Sequence, residues 1–488
     1  MVGSERPQRA SLTVIPDADG VLLHDPHTGS THRLNGLAQQ IWELCDGTRD
    51  RAGIAEAIAV RFGIAAADAA PDIDSTLSQF RHVGLIRTTG ISQRECTVLT
   101  HAVGAALGVP TELPADTVAG VDWNAVVHLA VDHGVMPLLH RCVSTVWHNE
   151  VPAIVRDRLQ HQYDANAIVI EGYLAELCEL VTEMAVQDVA ALPLRGPAMA
   201  QSLYGSAAMR QFGDLDIFVA PDRSERARDI LKQRGYEFRA SRPTDVLAMR
   251  TSTVGEIWVD LQWSIARHVF RFPVTLERLW GRLTTIDIRG VGILQPVPED
   301  YLLILAAHAS KHCWSALIWL ADIVALLRVH GETIHWTRLL DRAAKAGGER
   351  QLLLALRLAR DVLRADLPDA VVRRFDAHPA LDSLVADVER SLFVSVQQRS
   401  FQGSFGVIRG GLFYARTRER MRDRVPHLVY LLKESFTLLV DLTRPNHLDR
   451  AVIKLPASLG FLYYGVRVVR VTLSRLSAIG GRAPKETS

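Results

Sequence analysis

Along the first ninety residues the apolar positions shift from the alternation of strands to the wider period of helices. "SLTVIPD" and "GVLLHD" are short β-rich runs parted by turn residues. "VLLHDPHTGSTHRL" reads as a hairpin turning at Asp25-Pro26 and Gly29. Asn35 then stands at a capping position, ahead of a helix with Leu37, Ile41 and Leu44 on its inner face. Ile54, Ile58 and Phe62 mark a second helix ended by Gly63, and Ile73, Leu77, Phe80 and Val83 a third. A hairpin plus three helices predicts a winged-helix-like module over residues 1–90.

Residues 91–185 read as helical. Trp123, Val127, Ala130 and Val131 recur at helical spacing, with His128 and His133 read as structural histidines. "VPAIVRDRLQHQYDANAIVIEGYLAELCELVTEMAVQ" predicts one long helix. Residues 186–300 change character. Leu192 to Leu194 predict a strand, Arg195-Gly196 a turn, and Met199 to Tyr204 a helix. "DLDIFVAP" predicts a second strand, then a helix from Ser224 stopped at Gly235, and "EIWVDLQWSIA" a further strand. Residues 301–488 are again helical. The whole predicts a multidomain α+β chain: a winged-helix-like module, a core with a small mixed sheet, and helical middle and C-terminal regions.

The second strand poses an energetic problem. Side chains alternate faces, so Asp214, Asp216 and Phe218 share one side while Leu215, Ile217 and Val219 take the other. Two neighbouring like charges on a half-buried strand need a positive partner. On the later strand Asp260 shares a face with Gln262. Three carboxylates on adjacent strands predict a site for hard cations with oxygen ligands, most simply two Mg²⁺ ions, able to clamp the phosphates of an NTP. Asp260 then doubles as a base for an incoming hydroxyl. The Gly196 turn can approach phosphate oxygens closely. Arg195 and Arg210 read either as phosphate partners or as structural ion-pair partners. In "HASKHCW", His308 and His312 lie four apart on one helix face beside Lys311. We read His308 and Lys311 as lining the nucleotide pocket, against a buried polar network of His308, His312 and Asp322.

Composition narrows the class. The 488 residues exceed one compact core, and a formal net charge of +1 gives no global pull toward nucleic acid or membrane. Residues 1–88 carry eight arginines, no lysine and eleven acids, a formal −3, which argues against DNA binding by the winged-helix-like module. Five scattered cysteines without metal spacing fit buried thiols in a reducing cytoplasm. The N-terminus lacks a signal-peptide core, and no apolar run approaches the ~18 residues of a membrane span. "YARTRERMRDR" sets Arg416, Arg418, Arg420, Arg422 and Arg424 among Glu419 and Asp423, read as a solvated helix surface with an anion-binding face as the alternative. Tyr463 and Tyr464 are expected in the core of a closing segment.

Two resemblances extend this reading. "GVLLHDPHTGSTHRLNGLAQQIWELCDGTRDRAGIAEAIAVRFG" and "FRHVGLIR" resemble the PqqD-like family of peptide-recognition modules. That resemblance implies that a precursor peptide's leader adds as a strand along Ser30, Thr31, His32, Arg33 and Leu34, beside a groove wall of Leu77, Phe80 and Arg81. "LPLRGPAMAQSLYG", "MRQFGDLDIFV", "VDLQW" and "AAHASKHCWSALIWLADIVALL" resemble the uncharacterised nucleotidyltransferases of the DNA polymerase beta-like superfamily. There the metal-binding acids fall on Asp214, Asp216 and Asp260 and the glycine turn on Gly196. Two departures stand out: Arg195 where the family usually has Lys, and Gln262 where it usually has His. Together they imply a metal-dependent nucleotidyltransferase, moving a nucleotidyl or phosphoryl group from an NTP to a ribosomally made peptide held by its leader. The rival readings are an enzyme for RNA, tRNA or a small metabolite that uses the module only for docking, and an inactive peptide-binding scaffold.

Overall fold

A computed structural model of the chain describes residues 6–10, 12–17, 20–24, 31–82, 85–89, 93–110, 118, 120–264, 274, 276–393, 403–443, 453, 456 and 462–467. It is an α+β protein with three hydrophobic cores.

The N-terminal module holds the first core. Strands β2 (Thr13–Asp17), β3 (Gly20–His24) and β4 (Thr31–Asn35) form an antiparallel sheet in that order, which leaves β4 at one edge. Helices α1 (Gly36–Leu44), α2 (Arg51–Phe62) and α3 (Ala66–His82) pack on it. A second strand pair, β1 (Arg6–Arg9) with β5 (Ile86–Thr89), closes the module and has no counterpart in the sequence reading. Asn35 caps α1 by accepting from the Ala38 amide at 2.9 Å, and Gly63 ends α2 in the left-handed conformation. Two inner-face expectations fail: Leu37 is 46% and Phe62 50% exposed, while Trp42 is buried instead. The Trp42 indole donates to the Leu85 carbonyl, so a long-range hydrogen bond decides which side of α1 turns inward. The expected turn at Asp25, Pro26 and Gly29, together with Val83, lies outside the described residues.

The second core is built on a five-stranded sheet. Its strands are β6 (Leu192–Pro193), β7 (Leu215–Phe218), β8 (Glu237–Arg242), β9 (Asp245–Ser252) and β10 (Gly255–Gln262), in the order β6-β7-β10-β9-β8. β7 and β10 run parallel and the other pairs antiparallel. Leu215, Ile217 and Val219 are buried here against the long helix Ala153–Val186 and the helix Ser224–Gln233. Phe218, from the opposite face of β7, enters the third core.

That third core is helical. It joins residues before the sheet, from Cys96 to Leu159, with residues after it, from Tyr301 to Phe413, while Ile170 to Met184 of the long helix belong to the second core. The helices Pro298–Lys311 and Leu317–His330 lie next to the sheet and bring distant side chains to the site. His133 is structural: buried, its Nδ1 accepts from the Leu317 amide at 3.1 Å. Four of the five cysteines, Cys45, Cys96, Cys142 and Cys178, are buried.

The arginine cluster near residue 418 is a solvated surface only in part: Arg416 and Arg422 are exposed, whereas Arg418 is buried. The helices Gly403–Thr417 and Met421–Thr443 break around it. Arg418 is 1% exposed and donates to Gln351, with Asp423 at 3.4 Å. Its charge stitches the C-terminal helices to the helix Glu349–Leu363. Tyr464 is 54% exposed rather than in a core.

Candidate active site

The site is assembled where the second and third cores meet. Leu194 continues β6 by donating its amide to the Asp216 carbonyl at 3.3 Å, and its own carbonyl accepts from the buried Tyr301 hydroxyl at 2.7 Å. The next residue but one is Gly196, at φ 84° and ψ −146°. That conformation is essentially confined to glycine. A Cβ there would stand 3.7 Å from the Asp214 carbonyl, an ordinary contact, so the requirement is conformational rather than spatial. The helix Pro197–Tyr204 starts at once, with proline at its first position and no side chain capping it. Its leading amides therefore face the turn without an intrahelical partner.

The parallel pairing of β7 with β10 sets Asp216 and Asp260 opposite each other. Gln262 ties them: its Nε2 donates to Asp216 Oδ1 at 3.1 Å and to Asp260 Oδ2 at 2.8 Å. Asp214 lies just ahead of β7. The Tyr173 hydroxyl, from the long helix, is 2.9 Å from the Gly213 carbonyl and 3.1 Å from that of Glu256, pinning the approaches to both strands.

The charge beside Asp216 is Arg195. Its Nη2 lies 2.8 Å from Asp216 Oδ2, and its Nη1 lies 2.7 Å from Nδ1 of His308. Burial, then the Arg195 charge, holds His308 well below the usual imidazole range, so a neutral ring accepts this contact. His308 also packs 4.6 Å from His312, which stacks on Trp319 at 5.3 Å. Burial pushes the Asp260 carboxyl up to about 7, helped by Asp216, Asp245 and Asp214. Asp214 is raised too, by burial first and then by Asp216.

Some expected groupings are separated. Arg210 is held in a sealed pair with Asp322: Nε to Oδ1 is 3.0 Å, Nη2 to Oδ2 is 3.0 Å, and Tyr204 donates to Oδ1 at 2.7 Å, while the Arg210 charge, after that of Arg195, still opposes the rise at Asp214. Asp322 therefore belongs with Arg210, not with His308 and His312. Lys311 is exposed at the end of its helix. Tyr301 and Tyr173 carry no local motif, and only their long-range contacts reveal them.

The carboxylates are not gathered as a ready-made metal cluster, and among the described residues no three acid, histidine or cysteine side chains are. The reason is visible: Arg195 and Gln262 engage both oxygens of Asp216. The residues still suit a hard cation. The donors are carboxylate oxygens, and Asp260 Oδ1 is buried without a hydrogen-bond partner.

In the N-terminal module, His32, Arg33 and Leu34 lie on the edge strand β4, with Arg33 exposed and Leu34 buried. Leu77 and Phe80 are 1% and 4% exposed, inside the module's core rather than walling an open groove. Ser30 and the side chains of Thr31 and Arg81 lie outside the described residues.

A small mixed sheet with acids on neighbouring parallel strands, beside a glycine turn that opens a helix, defines a nucleotidyltransferase class of fold. The model of the family described as uncharacterised nucleotidyltransferase matches residues 119–364, just over half of the chain, and the chain belongs to that family. The model described as coenzyme PQQ synthesis protein D (PqqD) matches residues 20–86, which covers the hairpin and three helices of the first module. No curated protein and no solved structure matches the chain. Among the described residues no helix is long and apolar enough to cross a membrane.

Proposed function

We propose that this chain is a divalent-metal-dependent nucleotidyltransferase acting on a ribosomally made peptide that its PqqD domain holds by the leader. The observation that carries the catalytic part is the pairing of Asp216 with Asp260 across parallel strands, bridged by Gln262 and next to the Gly196 turn. Asp214, Asp216 and Asp260 would hold the metal, most simply Mg²⁺ in two ions, which supplies charge neutralisation for the phosphates. The amides that open the helix Pro197–Tyr204, with Arg195, bind phosphate oxygens. His308, which contacts Arg195, and Lys311, three residues further along the same helix, are assigned to the nucleotide pocket. Arg210, spent on Asp322, is left out of this assignment.

In the transfer, an acceptor oxygen attacks the α-phosphorus of the NTP. One O–P bond forms, the bond to the β-phosphate oxygen breaks, and pyrophosphate leaves. The acceptor's proton passes to the Asp260 carboxylate as the general base. The edge of β4 offers backbone groups to which an extended leader can add as a further strand. Tethering of this kind raises the acceptor's effective concentration, to the order of mM for a short flexible linker.

The test uses the full chain with NTPs labelled at the α- or the γ-phosphate and the precursor peptide encoded beside its gene. Label on the peptide from the α-position alone is the expected result. Transfer of the γ-label identifies a phosphoryl transferase, and label on RNA or a small metabolite but not on peptide refutes the acceptor assignment. Leader binding is followed by fluorescence polarisation. Prolines at His32 and Arg33 are expected to weaken it, and unchanged binding would count against the β4 edge.

A further inference from the structure

Arg195 does more here than wait for phosphate. Both oxygens of Asp216 are engaged, Oδ1 by the Gln262 amide and Oδ2 by the Arg195 guanidinium at 2.8 Å. The two partners differ in kind. Gln262 emerges from β10 itself and bridges two carboxylates, so it is built into the sheet. Arg195 sits at the glycine turn, 21% exposed, with its other nitrogen on the uncharged His308 ring. A neutral ring holds a guanidinium far less strongly than an anion does. Phosphate oxygens arriving at the Gly196 turn would therefore compete for Arg195 with Asp216, while His308 keeps the side chain on the same side of the site.

We infer that Arg195 is an internal counter-ion that stands in for the divalent cation on Asp216 and hands that carboxylate over when the triphosphate draws the guanidinium away. Cation and NTP then enter as linked ligands. Without nucleotide the arginine blocks the cation, and with it the two bind cooperatively, each tightening the other by the same factor. A lysine at this position would offer a compact charge on a flexible stem and would hold Asp216 less rigidly than a planar fork. This inference rests on the metal reading of the site proposed above.

The experiment measures Mn²⁺ binding to the full chain without nucleotide, by the electron paramagnetic resonance signal of the unbound ion. R195Q and R195M remove the charge but keep a side chain of similar length, and thermal melting identifies whichever remains folded. The expected result is Mn²⁺ binding about tenfold or more tighter than wild type, the size of effect a neighbouring charge has on a carboxylate. R195K, which keeps the charge but loses the planar fork, should fall between wild type and R195Q. D216N and D260N separate the two levels of the claim. If they lose Mn²⁺ binding while R195Q and R195M bind it no tighter than wild type, the counter-ion inference is wrong and the metal site stands. If they bind Mn²⁺ as wild type does, the metal reading itself falls, and the inference with it.

Discussion

Two arginines fifteen residues apart meet aspartates in different regions of this protein, and they end in opposite roles. At the mouth of the sheet, Arg195 makes one contact to Asp216, is 21% exposed, and shares its fork with a neutral histidine. Between the helices Pro197–Tyr204 and Leu317–His330, Arg210 meets Asp322 side-on through Nε and Nη2, at 8% and 1% exposure, with the Tyr204 hydroxyl completing the carboxylate's shell. Both are Arg–Asp pairs. The sealed one cements helix to helix. The other, beside an unpartnered buried oxygen on Asp260, is built to be exchanged. Completeness of the hydrogen-bond shell, not the identity of the residues, separates structure from chemistry here.

The largest effect expected concerns the exchangeable side. D216N should lower nucleotidyl transfer by about a thousandfold or more, on the order of 4 kcal/mol in the barrier, with melting little changed. Activity near wild type would remove the site from catalysis. Next comes the sealed side. D322N leaves Arg210 buried without its counter-charge and should destabilise the fold by about 3–5 kcal/mol, read by chemical denaturation. A loss below 1 kcal/mol, or a rise in the Michaelis constant for NTP without destabilisation, would erase the contrast drawn between the pairs. R195K should do the reverse, raising that constant by about tenfold, near 1.4 kcal/mol, while melting stays close to wild type.

The smallest effect is on pH dependence. The Asp260 carboxyl is pushed up from 3.8 to about 7 in the folded chain. Between those values the unfolded chain is ionised while the folded one keeps its proton, so stability is fully present at acid pH and falls as pH rises toward 7. Metal-free protein should melt higher at pH 5.5 than at pH 7.5, and D260N should shrink that difference. A difference of the same size in D260N would assign it to other groups, Asp214 first.

Much of the fold was legible because its signals are local. Alternation in "DLDIFV" separated the faces of β7, the Gly196 turn announced a strand-to-helix junction, and Asn35 and Gly63 marked helix ends that the structure keeps. Less of the candidate site was legible. The sequence put three acids on two strands and left Arg195, Arg210, His308 and Asp322 open between chemistry and packing. It offered no hint of Tyr301 or Tyr173, whose hydroxyls hold backbone carbonyls more than thirty residues away. Leu37 and Phe62 were misjudged for one reason: helical period identifies a stripe, but the neighbours that cover it decide whether it is inside. Arg418, read as solvated from its charge, is covered in the same way by distant neighbours.

The sequence alone therefore determined the α+β order of elements and the presence of Asp214, Asp216 and Asp260 in or next to two strands, which follow from spacing and from backbone preferences that act within a few residues. The PqqD-like module ahead of a nucleotidyltransferase core was legible only through resemblance. Only the tertiary structure decided that Asp216 faces Asp260, that Arg195 rather than Arg210 neutralises it, and that Asp322 is a structural anchor. The physical reason is range. Strand register, burial and ion pairing join residues from 21 to 112 positions apart, where no local period carries information.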